Sequence, residues 1–106
     1  MIVVHRLLNR SIITIFILYS YLFSMITVIY LARFADELGQ TQEQIDQSFN
    51  DSDELLAFLR QRGAPWDRVL AEDKIYKIAV NNVIQHGNAI LTDHDQIALL
   101  PPVTGG

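Results

Sequence analysis

The stretch with the strongest chemical character is LLPPVTGG, residues 99–106. Pro101 and Pro102 each lock φ and hold a stiff, polyproline-like neck. Val103 and Thr104 follow, then Gly105 and Gly106, which carry no Cβ and impose no steric demand on a neighbouring active site. The six residues from Pro101 reach at most ~20 Å beyond the strand before them. The only group at the tip with chemistry of its own is the carboxylate of Gly106. The pattern predicts a slender tail that threads a narrow channel and presents its end to another protein.

Other chemistries find little support. The chain has no cysteine, which excludes a disulfide framework, a thiolate metal site and a thiol nucleophile. Eight basic residues against 12 acidic ones argue against nucleic acid as a partner, which normally demands a basic stripe. Asp93-His94-Asp95 is read as a polar turn with a solvated histidine, and no metal is expected. His86 stands before Gly87-Asn88, a turn signal, and is expected to be exposed. No nucleophile–base pair, metal-ligand spacing or phosphate loop marks an autonomous enzyme.

The elements that must position the tail follow from patterning. MITVIYLARF, residues 25–34, is rich in β-branched and aromatic residues and predicts a strand, with Ile26, Val28 and Tyr30 on one face and Thr27, Ile29 and Leu31 on the other. Residues 32–40 predict a helical turn stopped by Gly39. Residues 44–49 alternate at Ile45, Gln47 and Phe49 and predict a second strand, antiparallel to the first. Asp51 with Glu54 forms a capping-box signature, and Leu55, Leu56, Phe58 and Leu59 give the following helix an apolar face. Arg60 and Arg62 suit its last turn and Gly63 its end. Pro65 opens a short turn in which Trp66, Val69 and Leu70 cover the core. Residues 77–81, Val83–Gln85 and Gln96–Leu100 predict three more strands. The order β-β-α-β-β-β with one long helix implies an α+β layer structure: one sheet with the helix across one face.

Residues 1–24 stand apart. Residues 11–32 hold no charge, and Arg6 and Arg10 precede them. The run is long enough for a transmembrane helix, which needs ~20 apolar residues, and its basic flank would place the N-terminus inside. A signal peptide is a second reading, although no small-x-small cleavage site follows cleanly. A third divides the run at Met25 and makes residues 1–24 an appendage, an anchor or a stretch upstream of the true start. A full span and a full first strand compete for the same residues: the 14 residues from 11 to 24 rise only ~21 Å as a helix. Without the appendage the net charge changes from −4 to −6, because Arg6 and Arg10 leave with it.

LLPPVTGG, preceded by LTDHDQIA, resembles the C-terminal signature of molybdopterin synthase small subunits, the MoaD-type sulfur carriers of the MoaD/ThiS ubiquitin-like family. MITVIYLARFADELG resembles that family's first strand and turn, KIAVNN its middle strand, and the helix with Leu55 and Leu59 falls in register. The resemblance covers residues 25–106 and leaves residues 1–24 without counterpart, which favours Met25 as the start of the domain.

The resemblance implies a ubiquitin-like β-grasp domain with a mixed sheet. It also implies that an ATP-dependent, E1-like partner adenylates the Gly106 carboxylate, and that sulfur then replaces one oxygen. The resulting thiocarboxylate would enter the large catalytic subunit and deliver sulfur to a pterin precursor in molybdenum cofactor biosynthesis. Gly106 would be the reacting residue and Gly105 its close-fitting neighbour, in a hetero-oligomer working in the cytoplasm with no permanently bound cofactor. Elementary chemistry agrees: a carboxylate is a poor electrophile and needs a leaving group such as AMP. A chain without cysteine has no side-chain thiol to carry sulfur. A stiff neck limits the entropy lost when the tail enters its channel. A thiamine-type sulfur carrier or a ubiquitin-like modifier would use the same Gly-Gly carboxylate, and PPVTGG favours the molybdopterin branch. A membrane-anchored interaction protein with an inert tail is the alternative of another class.

Two further expectations concern neighbours of the tail. The family often has glycine where this chain has His94, so a left-handed backbone is expected there, which histidine tolerates at some cost. If Ile26, Val28, Tyr30, Ile97 and Leu99 face inward, Leu31 and Leu100 face outward, with Ile84 beside them. Such an apolar cluster next to the tail predicts a docking surface, with Asp93 and Asp95 at its rim steering a basic partner.

Overall fold

The structure, a computed structural model, describes residues 25–74 and 76–102. The expectations for residues 1–24 and for Val103, Thr104, Gly105 and Gly106 lie outside the described residues. The elements are β1 (Ile26–Tyr30), α1 (Arg33–Leu38), β2 (Gln42–Ile45), α2 (Ser52–Arg60), α3 (Trp66–Val69), β3 (Lys77–Val80), β4 (Val83–Gln85) and β5 (Gln96–Leu100). They form one five-stranded sheet in the order β2-β1-β5-β3-β4. The β1–β5 pair is parallel and every other pair antiparallel. This is the mixed sheet with one principal helix of a ubiquitin-like β-grasp domain.

Alternation in β1 and β5 does what the pattern predicts. Ile26, Val28, Tyr30, Ile97 and Leu99 are buried, and α2 adds Leu55, Leu56 and Leu59 to the same core. Burying each such side chain fully stabilises the fold by about 1.5–3 kcal/mol. Trp66, Val69 and Leu70 close the core from α3 as expected, with the Trp66 ring edge-on to Tyr30 at 5.4 Å. β1 claims Ile26–Tyr30, so the uncharged run of residues 11–32 is not one continuous helix. Among the described residues no helix is long and apolar enough to cross a membrane.

The N-terminal end of α2 is capped locally and tied to the loop at Asn88 and Ala89. The Asp51 carboxylate accepts from Glu54 N at 2.9 Å, the first half of the expected capping box. The Glu54 carboxylate accepts from Asn50 N at 2.6 Å, so the reciprocal bond lands one residue earlier than the motif predicts. Asn88 Oδ1 accepts from Asp53 N and from the Ser52 hydroxyl, and Ser52 Oγ accepts from Ala89 N. These bonds let Ser52 sit fully buried without an unpaired polar atom. Gly39 ends α1 at φ 78°, with its N–H donated to the Ala35 carbonyl. Val80 and Val83 flank Asn81 and Asn82, whose φ values of 50° and 69° make the two-residue reversal between β3 and β4.

The second strand differs from expectation. It spans Gln42–Ile45, where the pattern predicts residues 44–49. Ile45 pairs with Ile26 and is the one buried residue of β2. Phe49 lies beyond the strand and packs edge-on against Phe58 at 5.3 Å. β2 is an edge strand with polar residues at Gln42, Glu43 and Gln44, so pairing with β1 sets its register and apolar alternation does not.

Helix α2 stops at Arg60, and Arg62 leaves the helix to make a tie that patterning does not reveal. Its guanidinium donates two bonds to the Glu43 carboxylate, both 2.7 Å, in a bidentate pair. The same guanidinium lies 4.5 Å from the centre of the Trp66 ring and 5.5 Å from that of Phe58. The Tyr30 hydroxyl donates to Glu43 at 2.7 Å. Burial, reinforced by Glu43, pushes the Tyr30 phenol far above its usual range, so it remains a donor. Burial alone would raise Glu43, but hydrogen bonds from Arg62 and Tyr30 outweigh it and hold the carboxyl below the ordinary value. The tie joins β1, β2, the end of α2 and α3.

A carboxyl whose folded pKa is depressed contributes stability that is present above its unfolded value, about 4.3 for Glu, and lost as pH falls through the folded value. The melting temperature should therefore hold level down to about pH 5 and fall at lower pH. Glu43→Gln should lower stability at neutral pH by about 2 kcal/mol and flatten part of that acid limb, measured by thermal unfolding across pH.

Candidate functional site

The site grows from the parallel pairing of β1 and β5. Two strands that run the same way end at the same edge, and Tyr30 stands opposite Leu99. Leu31 N donates to the Leu99 carbonyl at 3.0 Å, carrying the ladder one residue past β1. Leu31 and the root of the tail, Leu100-Pro101-Pro102, therefore emerge side by side. Pro101 and Pro102 are half-buried where they leave the sheet.

Register also places the expected apolar residues on one face. Ile84 pairs with Ala79, Ala79 with Ala98, and Ala98 with Ile29, so these four form one row across the outer face. Leu100, opposite Lys77, lies two residues beyond Ala98 on that face. Leu31 is 39% exposed and Ile84 43%, while Leu100 is half-buried. The structure thus brings Leu31, Leu100 and Ile84 onto the face that α2 does not cover. Ile29, Ala79 and Ala98 form its floor, which the sequence reading did not include. The two alanines leave the middle of the face shallow between larger side chains.

The start of β5 is clasped by Asp95. Its carboxylate accepts from Thr92 N at 2.7 Å, from Asn81 Nδ2 at 2.9 Å and from the Thr92 hydroxyl at 3.2 Å. Asn81 Oδ1 accepts from Gln96 N, and Asn81 N donates to the Gln96 carbonyl. Burial would raise Asp95, but the bonds from the Thr92 backbone, Asn81 and the Thr92 hydroxyl bring it below the ordinary value. Asp95 is only 8% exposed, so it does not stand at a rim as expected; its charge is consumed inside the turn. Asp93 is exposed. His94 adopts φ 69°, the left-handed backbone expected there, and its N–H donates to the Met25 carbonyl at 2.8 Å. No group of three or more His, Cys, Asp or Glu suited to a metal occurs among the described residues.

Residues 28–106 match the ThiS family along its profile. The chain belongs to the ThiS family. Two curated relatives are each named "Molybdopterin synthase sulfur carrier subunit". The one from Haemophilus influenzae is 28% identical over 82 residues, which is 77% of this chain and 100% of the relative. The one from Escherichia coli is 29% identical over the same length and the same shares. The solution structure of the small archaeal modifier protein 1 from Methanosarcina acetivorans superposes with a TM-score of 0.62 at 21% identity, covering 79% of this chain and 98% of that one. That likeness confirms the β-grasp fold.

In this ThiS-family domain the tail root has a second neighbour that sequence reading missed. A depression of about 470 Å³ is lined by Arg33, Arg68 and Lys74, by Glu37 and Asp73, and by Tyr76 and Pro102. Its charged residues come from α1, α3 and the stretch before β3. No local motif announces them, because only the fold brings positions 33, 68 and 74 together. The Asn81-Asn82 turn that locks Asp95 was signalled in the sequence, as two left-handed-tolerant residues between strand patterns.

The clasp generates a test. Asp95→Ala leaves Thr92 N and the Asn81 amide without their acceptor and should cost about 2–3 kcal/mol. Amide exchange at Gln96 and Ile97 should accelerate with it. An Asp95→Ala protein as stable as the parent would show that the turn does not anchor β5.

Proposed function

We propose that the chain is the sulfur-carrier subunit of a molybdopterin synthase, with residues 25–106 as the working domain. The observation that carries this reading is a ThiS-family β-grasp domain whose last strand continues directly into PPVTGG. The double proline and the two relatives named as molybdopterin synthase sulfur carrier subunits favour this branch over a thiamine-type carrier or a protein modifier.

The chemistry proceeds at Gly106. An activating enzyme uses ATP to convert the carboxylate to an acyl-adenylate, releasing pyrophosphate. Hydrosulfide attacks the acyl carbon, AMP leaves, and a thiocarboxylate remains. The large synthase subunit then receives the tail and takes the sulfur for the pterin precursor. The domain's part is positional. The β1–β5 ladder fixes the root, the prolines carry the end outward, and Gly105 and Gly106 pass a narrow channel without side-chain clashes. Leu31, Leu100 and Ile84, over the Ile29, Ala79 and Ala98 floor, dock the large subunit beside that channel.

Removing Gly106 should reduce sulfur transfer to background while the melting temperature stays that of the parent. Normal transfer by the shortened chain refutes the assignment. Leu100→Glu should weaken binding to the large subunit at least about tenfold, the effect of losing one central apolar anchor. The domain should remain folded, because the new carboxylate faces Lys77 across the β3–β5 pair. Unchanged affinity, measured by calorimetry, counts against this face as the dock.

A further inference from the structure

Charge is distributed unevenly around the β1–β5 ladder. From residue 25 onward the chain carries six basic and 12 acidic side chains, a net −6. Two of the cations are engaged inside the domain: Arg62 with Glu43, and Arg60 with Glu72 and the Leu70 carbonyl. The other four are Arg33, Arg68, Lys74 and Lys77, all exposed. The side-chain hydrogen bonds and ion pairs of the described residues engage none of these four.

All four flank the root of the tail. Arg33, Arg68 and Lys74 line the depression that Pro102 also lines, together with Glu37 and Asp73. Lys77 stands opposite Leu100 across the β3–β5 pair, on the outer face of the sheet. A collar of four cations against two carboxylates therefore runs from the helical side of the root to the apolar face. Tyr76, packed edge-on against Phe34 at 5.9 Å, ties its wall to the core. Asp36 and Asp67 lie on α1 and α3 but do not line the depression.

The opposite pole is acidic. Asp93 and Asp95 precede β5, and Asp46 follows Ile45, the partner of Ile26 at the start of β1. Cations at the exit of the ladder and carboxylates at its entry give the domain a dipole along the strands. A body of net −6 is repelled by a uniformly anionic polymer or bilayer. A protein surface whose carboxylates are confined to one patch attracts the collar without facing the acidic pole.

We propose that this cationic collar docks an acidic patch on the large subunit, whose carboxylates ring the place where Leu100, Pro101 and Pro102 meet it. The inference rests on the sulfur-carrier reading and adds the sign of the partner's surface. Lys77 sits beside Leu100, so the collar is continuous with the apolar face that docks the same partner. Apolar side chains at the centre and charges at the rim are the ordinary division of an interface. Rim charges act mainly on the rate of encounter, and the dipole turns the domain root-first toward the patch.

The test follows association of the full chain with the large subunit by stopped flow over a range of salt. Two variants carry the same net charge. Arg33→Gln/Arg68→Gln removes two positive charges at the root. Gln44→Glu/Gln47→Glu adds two negative ones toward the other pole, where both side chains are exposed. The parent's association rate should fall as salt rises. The collar variant should associate about tenfold more slowly at low salt. Its salt dependence should flatten, and its dissociation rate and melting temperature should match the parent's. The far-pole variant should stay within about twofold of the parent. A collar variant as fast as the parent, or equal slowing in both variants, overturns the collar. A parent rate that is indifferent to salt, or rises with it, overturns the acidic patch. Binding of the parent to duplex DNA or phosphatidylserine vesicles, lost in the collar variant, overturns the protein partner. A parent that forms no complex with the large subunit sinks the sulfur-carrier reading, and the docking falls with it.

Discussion

The parallel ladder between the first and last strands is the constraint on which everything else rests. β1 and β5 lie side by side at the centre of the sheet, with Val28, Ile97 and Leu99 fully buried and Tyr30 nearly so. A parallel pair needs a long crossover, and here the whole middle of the chain supplies it. The consequence is geometric. The exit of β1 and the exit of β5 share one edge, so Leu31, the Arg33 end of α1 and the tail root are neighbours although some 70 residues separate them in sequence. Breaking this ladder would remove the core and the site together.

Around that ladder the polar interactions divide the labour. The Tyr30–Glu43–Arg62 tie fastens the β2 edge to the end of α2 and to Trp66. The Asp95–Asn81–Thr92 clasp fastens the start of β5 to the β3–β4 turn. One holds the far edge of the sheet and the other the base of the strand that bears the tail. Both work by satisfying depressed-pKa carboxylates with short hydrogen bonds, so both weaken in acid. A firm base suits the proposed role, in which the reacting group lies beyond this strand.

Much of this fold is legible from local pattern. β4, β5, the Asp51 cap, the Gly39 stop and the Trp66 turn all announce themselves through alternation, capping residues or punctuation over a few positions. The inward and outward faces of β1 and β5 follow from the same alternation, and with them the placement of Leu31 and Leu100; Ile84 reaches that face through the β3–β4 pairing. What resisted reading depends on partners far away in sequence. β2 takes its register from β1, so local alternation places its bounds too late. Arg62 suits a helix end by its position and instead pairs with Glu43, 19 positions earlier. An aspartate in a turn can face either way, and the Asn81 amide across the hairpin joins Thr92 in turning Asp95 inward, away from the expected rim. The cations of the depression belong to three segments that only the finished fold assembles.

The central claim is that the domain exists to present the acyl group of Gly106 for conversion by other proteins. Intact-mass analysis after incubation with ATP, the activating enzyme and a sulfur source addresses it most directly. The account predicts a mass change equal to one oxygen exchanged for one sulfur, located by fragmentation at Gly106. An unchanged mass, or sulfur found on any other residue, would contradict it.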